Sequence, residues 1–369
     1  MMRMLFMSPP NLGAVFGMVP LAQAAVAAGH DVLFGTCSTA VPLVAQAGLN
    51  VVDVAPNDDF AALLPRERHA FASNRPDAVS EKSGAPHFFE AFADLMLMGS
   101  RELVARWRPD LVVHTSQAVV ARHLGVPTLF HGIGFLHHPD MVSPWLRAKS
   151  ARRRGICDFA VNVSPPSMSA VEPFGRPMRY IPYSGGGVLP DWLFQRLRRP
   201  RIAVTLGTVA PRFTGTHPLQ WILGSAGQVD AEFVFALGGA DPAGLGPLPA
   251  NVRAVAWLPL NALVRTCTAV VHHGGAGSIM ASLDAGLPQL VLPQGADQFD
   301  NTDVLIRRGV GVTSSLDRPA AEVLRRLLDD EGLAASARQV QAEMETMPTP
   351  AETVPKIAQD VRSAGMSKV

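Results

Sequence analysis

The chain has 369 residues, of which 48% are apolar, so it is long enough and apolar enough for two buried domain cores. With 32 basic and 31 acidic residues the formal net charge is +1, which provides no field to attract nucleic acid, and we predict no nucleic-acid partner. Cys37, Cys157 and Cys267 are too few and too widely spaced for a disulfide framework or a zinc site, and no apolar run reaches the roughly 18 residues of a membrane helix. We therefore predict a cytoplasmic protein with no membrane contact.

The first elements of the chain predict an α/β fold. Arg3–Met7 is predicted as a strand, Val15–Ala28 as a helix stopped by Gly29, and Asp31–Gly35 as a second strand, which together make a βαβ unit. Further strands are predicted at Asn50–Val54, Asp110–His114, Pro127–His131 and Phe159–Val163, with a long irregular loop over Pro56–His87 and a packing helix over Phe88–Trp107.

A glycine-rich and polar segment indicates a linker between two domains. It contains Ser184–Gly187 and the run Asp191–Pro200. We predict a first domain over residues 1–190 and a second over residues 200–350. The α/β pattern restarts after the linker, with strands predicted at Arg201–Leu206, Phe233–Leu237, Val252–Ala256, Ala269–His272, Gln289–Pro293 and Gly311–Thr313.

The sequence HHGGAGS, from His272 to Ser278, predicts a phosphate site in the second domain. It follows an apolar strand and precedes a helix predicted from Ser278 to Ala285, which Gly286 ends. Glycines let the backbone approach an anion, and the unpaired amides at a helix start point toward it with the positive end of the helix dipole. A diphosphate suits such a loop.

A second polar segment follows the next strand. Gly295–Asn301 comes directly after Gln289–Pro293, and ligands of doubly wound sheets bind at the carboxyl ends of the strands. The segment and the phosphate loop are therefore expected to line one crevice. Asp297 and Gln298 carry the acceptors and donors that sugar hydroxyls need.

Together, the motifs HHGGAGS and PQGADQFDN resemble the donor site of nucleotide-sugar glycosyltransferases, in particular the bacterial family 1 enzymes that glycosylate antibiotics and other natural products. The resemblance implies the GT-B fold, in which two facing Rossmann-like domains hold the active site in the cleft between them. It also implies that the final helix, within residues 352–369, crosses back to the first domain.

The resemblance further implies roles for single residues. His273 donates to a donor phosphate, Trp257 stacks on the base, and Asp297 and Gln298 hold the sugar; from the residue alone, a core tryptophan fits Trp257 equally well. Arg212 lies close enough in sequence to assist or to be a surface residue. The implied donor-binding set is Gly207, Thr208, Trp257, Leu258, His273, Gly275, Gly277, Ser278, Asp297 and Gln298. No cofactor is implied, because the nucleotide sugar is a co-substrate, and no metal is expected, because no carboxylate pair in a metal-binding context accompanies the phosphate loop.

A NAD site is the alternative explanation of glycines at a strand-to-helix turn. It would place GxGxxG in the first unit of a domain, where this chain has Pro9–Gly13 in the sequence PPNLG. We therefore favour the nucleotide-sugar site.

The chain departs from the family at the catalytic position. Many relatives carry a histidine six residues before the proline of a Pro-Leu pair, and that histidine deprotonates the acceptor. Here the pair is Pro20 and Leu21, and the residue six positions before Pro20 is Ala14. The aspartate that supports the histidine would fall at Thr115. Both members of the dyad are missing, either naturally or, for Ala14, by engineering. Substitute bases are expected on the segment that lines the acceptor cleft, first His131 and then His137, with His138 and Asp140 nearby.

The acidity of the acceptor offers another explanation of how the chain could act without the dyad. An alcohol has a pKa of roughly 15 to 16 and a phenol one of about 10, a difference of roughly 7 to 8 kcal/mol in proton transfer. Together with the resemblance, this difference in acidity predicts an inverting transferase that moves a deoxysugar, TDP-linked, to a small natural product such as an aromatic polyketide, with an O- or C-linkage. The alternative is a non-catalytic homologue that binds nucleotide or acceptor and assists a partner enzyme. The sequence does not decide between a monomer and a homodimer.

Overall fold

The computed structural model describes residues 1–56, 85–115, 121, 124–135, 157–169, 174–208, 216–295 and 297–366. The chain divides into two compact units. The described residues up to Gly185, together with those from Thr346 onward, form the first unit, and Gly186–Glu345 lies in the second. No helix in the described part of the chain is long and apolar enough to cross a membrane.

The first unit contains a seven-stranded parallel sheet in the order β3-β2-β1-β4-β5-β6-β7. Its strands are β1 (Arg3–Met7), β2 (Asp31–Thr36), β3 (Val51–Asp53), β4 (Leu111–His114), β5 (Thr128–His131), β6 (Phe159–Asn162) and β7 (Arg176–Pro177). Its helices are α1 (Leu12–Ala27), α2 (Ala40–Gln46), α3 (Ala85–Trp107) and, at the end of the chain, α10 (Pro350–Met366). Helix α10 packs against α1, and Arg176 forms a bidentate pair with Asp360 of α10 at 2.7 Å.

The second unit contains a six-stranded parallel sheet in the order β10-β9-β8-β11-β12-β13. The strands are β8 (Arg201–Thr205), β9 (Glu232–Ala236), β10 (Val252–Val255), β11 (Ala269–His272), β12 (Gln289–Val291) and β13 (Gly311–Thr313). The helices are α4 (His217–Ala226), α5 (Leu260–Val264), α6 (Ala276–Asp284), α7 (Gln298–Arg308), α8 (Ala320–Asp329) and α9 (Glu331–Thr346).

Alternating residues of the second sheet pack into separate cores on its two faces. Ile202 and Val204 belong to one apolar cluster, whereas Ala203 belongs to the other, as the two-residue period of a strand requires. With both faces covered, only the strand ends are open to ligands. The strand order reverses between β8 and β11, and between β1 and β4 in the first sheet, which is where doubly wound sheets bind ligands.

Four helices begin earlier than the sequence predicts. Helix α3 begins at Ala85 instead of Phe88, within the segment predicted as a loop. Helix α1 begins at Leu12 instead of Val15, because the Asn11 side chain accepts a hydrogen bond from the Ala14 amide and caps it. Helix α6 begins at Ala276 instead of Ser278, with Gly275 as its N-cap. Helix α10 begins at Pro350, where Thr349 and Glu352 exchange the hydrogen bonds of a capping box.

Candidate functional site

The predicted phosphate loop joins β11 to α6 at the carboxyl edge of the second sheet. Gly274 takes a φ of +93°, which only glycine adopts easily, and a Cβ there would lie 3.1 Å from Cγ1 of Val291. The Ser278 amide already donates to the Gly275 carbonyl at 3.0 Å. The amides that precede it at the helix start are those left for an anion.

Both polar groups of Gly274 are held by side chains. Its amide donates to Nδ1 of His272 at 2.9 Å, so the His272 proton is on Nε2, which donates to Oε1 of Gln289 at 2.7 Å. Its carbonyl accepts from Nδ2 of Asn301 at 3.0 Å, and the same nitrogen donates to Oδ2 of Asp297 at 2.9 Å. This clamp of hydrogen bonds fixes the loop from the strand side and from α7, and the His272 ring points toward the neighbouring strand β12.

The His273 ring lies in a slot between two glycines from different loops. A Cβ at Gly207, which follows β8 with a φ of +68°, would lie 2.7 Å from Cε1 of His273. A Cβ at Gly275 would lie 2.5 Å from Nε2 of the same ring. Gly275 has φ −69° and ψ 140°, so its backbone suits any residue and only the space requires glycine. We call Gly207, His273 and Gly275 the histidine slot.

The His273 ring is neutral at neutral pH. Burial, with a smaller contribution from the neighbouring His272, lowers the pKa of His273 to about 3. Nδ1 of His273 is buried and has no hydrogen-bond partner among the described residues. The positive potential of the loop in the free protein therefore comes from the helix amides.

The polar segment after β12 is organised around Gln298. Its Oε1 accepts from the amides of Gln294 at 2.8 Å and Gly295 at 3.3 Å, and its side chain is buried. Only the amide nitrogen of this side chain is left to meet a sugar. Asp297 is exposed at the start of α7, where its carboxylate accepts the bond from Asn301.

Trp257 and Leu258 follow β10 and differ in exposure. Trp257 is 40% exposed, so it is not a core residue, and its indole is accessible for stacking. Leu258 is buried in an apolar cluster with Leu263 and Val270, which leaves only its main chain for a ligand.

The carboxyl edge of the first sheet contains the two positions where the sequence lacks the family dyad. Ala14 is buried in the first turn of α1, and Thr115 is buried just after β4. Gly17, one turn after Ala14, faces the segment after β5, because a Cβ there would lie 2.8 Å from Cγ2 of Ile133. His131 is only two residues before Ile133.

Two buried histidines end neighbouring strands at this edge. His114 donates from Nδ1 to the Thr115 carbonyl at 3.1 Å, which leaves Nε2 without a proton and, within the described part of the chain, without a partner. Neither ring nitrogen of His131 has a partner among the described residues. Burial lowers the pKa of each ring to about 4.

Comparison with known proteins places this chain in a family. The models of the erythromycin biosynthesis protein CIII-like N-terminal and C-terminal domains match residues 23–207 and 220–359. The chain belongs to this family. It is 36% identical to the elloramycin glycosyltransferase ElmGT of Streptomyces olivaceus, over 96% of this chain and 97% of that enzyme.

Solved structures of glycosyltransferases resemble this chain over nearly its whole length. The glycosyltransferase SnogD of Streptomyces nogalater has a TM-score of 0.81 and 39% identity, over 98% of this chain and 99% of that one. The glycosyltransferase VinC in complex with DTDP has a TM-score of 0.80 and 28% identity, over 98% and 100% of the two chains. The GT-B fold class predicted from the sequence is confirmed, and this chain is a glycosyltransferase.

Several residues of this site have no role that the sequence predicts. Asn301, Gln289 and Gly238 contact residues at the carboxyl edge of the second sheet, which we call the donor edge after its predicted role; a Cβ at Gly238 would lie 2.5 Å from the Gly207 carbonyl oxygen. The i, i+4 spacing of Asp297 and Asn301 is the one local signal among these contacts. The predicted candidates His137, His138, Asp140 and Arg212 lie outside the described residues.

Proposed function

We propose that this glycosyltransferase moves a deoxysugar from a thymidine-diphosphate-linked donor to a small polyketide-type acceptor with inversion at the anomeric carbon. The proposal is carried by the histidine slot beside the amides of α6, in a chain whose structural relatives include VinC in complex with DTDP. The chain is also similar to TDP-daunosamine transferase DnrS of Streptomyces peucetius and aclacinomycin-T 2-deoxy-L-fucose transferase of Streptomyces galilaeus, at 30% and 29% identity.

The donor is bound by the second unit in this proposal. The diphosphate lies at the start of α6, near Gly277 and Ser278, where His273 donates a hydrogen bond from its neutral ring and Thr208 bonds to a phosphate oxygen or the sugar. Trp257 stacks on the thymine base. Asp297 and the amide nitrogen of Gln298 bind sugar hydroxyls.

During transfer, the acceptor forms a bond to the anomeric carbon as the bond from that carbon to the diphosphate oxygen breaks. The diphosphate leaves with the electron pair, so negative charge develops on its bridging oxygen. The α6 amides and His273 are fixed before the reaction, and such preorganised donors stabilise developing charge without reorganisation. We expect the pKa of His273 to rise when the diphosphate is bound, because a nearby negative charge favours the protonated ring.

The missing dyad favours an acidic acceptor. A phenol is easier to deprotonate than an alcohol by roughly 7 to 8 kcal/mol, and its ring carbon ortho to the oxygen can also attack, which would give a C-linkage. We propose His131 as the substitute proton acceptor. Because burial lowers its pKa to about 4, it is neutral at neutral pH but only weakly basic, so the acidity of the acceptor carries most of the activation.

One observation favours a second function. The dyad positions hold Ala14 and Thr115, which is the pattern expected of a homologue that binds a nucleotide or acceptor and assists a partner enzyme. Such a protein would bind thymidine diphosphate but would neither hydrolyse nor transfer the sugar of a TDP-deoxysugar.

The test is mass spectrometry of products from TDP-deoxysugars with phenolic and aliphatic acceptors, on the unaltered chain and on Ala14→His. We expect transfer to phenols by the unaltered chain, with acid-stable products if the linkage is to carbon. Activity confined to the Ala14→His variant, with circular dichroism showing that both proteins are folded, would contradict an active native enzyme. Binding without hydrolysis or transfer in either protein would support the helper.

A further inference from the structure

A cavity of ≈ 330 Å³ in the second unit is lined by arginines and is separate from the donor loop. Its lining includes Arg196, Arg198, Arg199, Arg201 and Arg253, with Glu232 as its only carboxylate. The whole chain has 32 basic and 31 acidic residues, so this concentration of one charge does not reflect the overall composition. We call it the arginine cavity.

Most of the charge in the arginine cavity has no internal counter-ion. Glu232 is bonded to Nε of Arg201 at 3.0 Å, and Arg199 is 3.8 Å from the exposed Asp230. Arg196, Arg198 and Arg253 have no carboxylate within ion-pair distance among the described residues. A concave surface with several like charges raises the local concentration of the opposite ion.

The floor of the arginine cavity is fixed. Arg201 is only 2% exposed, and its Nη1 donates to Oγ1 of Thr266 at 2.8 Å. The ring of Trp192 lies 5.4 Å from the Arg201 guanidinium carbon and 4.6 Å from that of Arg253, both within cation–π range. Contacts that hold guanidinium groups before a ligand arrives lower the entropy cost of binding it.

The position of the cavity separates it from the donor loop. Arg201 is the first residue of β8 and Glu232 the first of β9, so the cavity is at the amino edge of the second sheet. The histidine slot is at the carboxyl edge. Strand β8 has five residues, which at about 3.3 Å per residue places the two edges about 13 Å apart.

We propose that the arginine cavity binds a multiply charged phosphate-type oxyanion, independently of the nucleotide sugar. The fork of a guanidinium group matches phosphate oxygens, which it binds through two parallel hydrogen bonds. A volume of ≈ 330 Å³ equals that of about ten water molecules, so inorganic diphosphate fits with part of its hydration shell. The ligand is bound without a covalent step.

The test is calorimetric titration of the full-length protein with inorganic pyrophosphate, without magnesium and with saturating thymidine diphosphate to occupy the donor site. We expect one remaining pyrophosphate site whose affinity falls with added sodium chloride. The Arg198→Gln/Arg253→Gln double variant should weaken it at least tenfold. Arg307→Gln, which removes an exposed arginine from α7, is the matched control and should leave it unchanged.

Absence of pyrophosphate binding in the presence of thymidine diphosphate would overturn the proposal, as would equal affinity in the double variant. Binding of a polyglutamate peptide without binding of pyrophosphate would also overturn it, since that result indicates an acidic protein partner. Failure of thymidine diphosphate itself to bind would contradict the donor assignment, and the arginine variants would still report on the cavity. Sugar transfer by the double variant should equal that of the unaltered protein.

Discussion

The carboxyl edges of the two sheets differ in how their buried polar groups are paired. In the second unit, Gly274 is bonded through both its amide and its carbonyl, and Gln298 binds two amides of its own loop. In the described part of the first unit, the unpaired buried atoms include Oγ1 of Thr36, Nε2 of His114, both ring nitrogens of His131 and Oγ of Ser164, whereas at the edge of the second unit they include Nδ1 of His273 and Nε2 of Gln289. Buried polar groups without partners are costly. The donor edge is thus organised by the protein's own contacts, whereas we expect an acceptor to supply partners at the other edge.

One substitution made at both edges tests this difference most strongly. His272 and His131 are both fully buried, and each is the last residue of its strand. His272→Leu leaves the Gly274 amide and Oε1 of Gln289 unpaired and should lower the free energy of unfolding by about 2–4 kcal/mol. His131→Leu removes a polar ring whose nitrogens have no hydrogen-bond partner among the described residues, and should change the free energy of unfolding by less than about 1 kcal/mol. Urea denaturation measures the free energy of unfolding of both variants. Equal losses would contradict the comparison.

Asn301 connects the two loops of the donor edge. Asn301→Ala leaves the Gly274 carbonyl and Asp297 without their shared donor and should cost about 1–3 kcal/mol of stability. Because the loop loses its support on the α7 side, thymidine diphosphate should also bind more weakly. Gln339→Ala, which removes an exposed hydrogen bond to Arg308, is the control. Unchanged nucleotide affinity in Asn301→Ala would show that the clamp does not organise the loop.

Acid should weaken the fold through its buried histidines. His114, His131 and His272 have pKa values lowered to about 4, so between pH 4 and 6.5 the unfolded chain binds protons that the folded chain does not. Stability is therefore fully present above pH 6.5 and falls as the pH approaches 4, by about 1.4 kcal/mol per pH unit for each histidine. Unfolding free energies at pH 7 and 5.5 measure the slope. His131→Leu should reduce this slope by the contribution of one histidine, about 1.4 kcal/mol per pH unit, and an unchanged slope would contradict that contribution.

The smallest expected effect concerns Trp257. Trp257→Ala should weaken thymidine diphosphate binding about fivefold, or about 1 kcal/mol, at the low end for base stacking because the indole is partly exposed. Stability should be unchanged. Phe194→Ala, which truncates a more exposed aromatic residue, should change neither quantity. An unaltered nucleotide affinity in Trp257→Ala would remove this residue from the donor site.

The sequence predicts those features that depend on local chemistry. The bounds of β1, β11 and β13 match the prediction, and the donor motif is recognisable because its residues are contiguous. The sequence does not predict the start of α1 at Leu12, because that start depends on the Asn11 side chain. Asn11 caps the helix before the apolar periodicity becomes evident at Val15. The histidine slot joins Gly207 to His273 across two loops, and nothing in either loop indicates the other. Acceptor loops have no transferable sequence pattern. For the carboxyl edge of the first sheet, the sequence therefore predicts only a set of candidate bases.

The central claim is that the donor edge is built around the ring of His273. A double-mutant cycle of Gly275→Ala and His273→Ala, with thymidine diphosphate affinity measured by calorimetry, tests it most directly. Gly224→Ala, at a helical glycine with open space around it, is the control and should have no effect. The account predicts that each single change weakens binding about tenfold and that Gly275→Ala adds no further loss once the ring is gone. A loss from Gly275→Ala that persists in the His273→Ala background would contradict it.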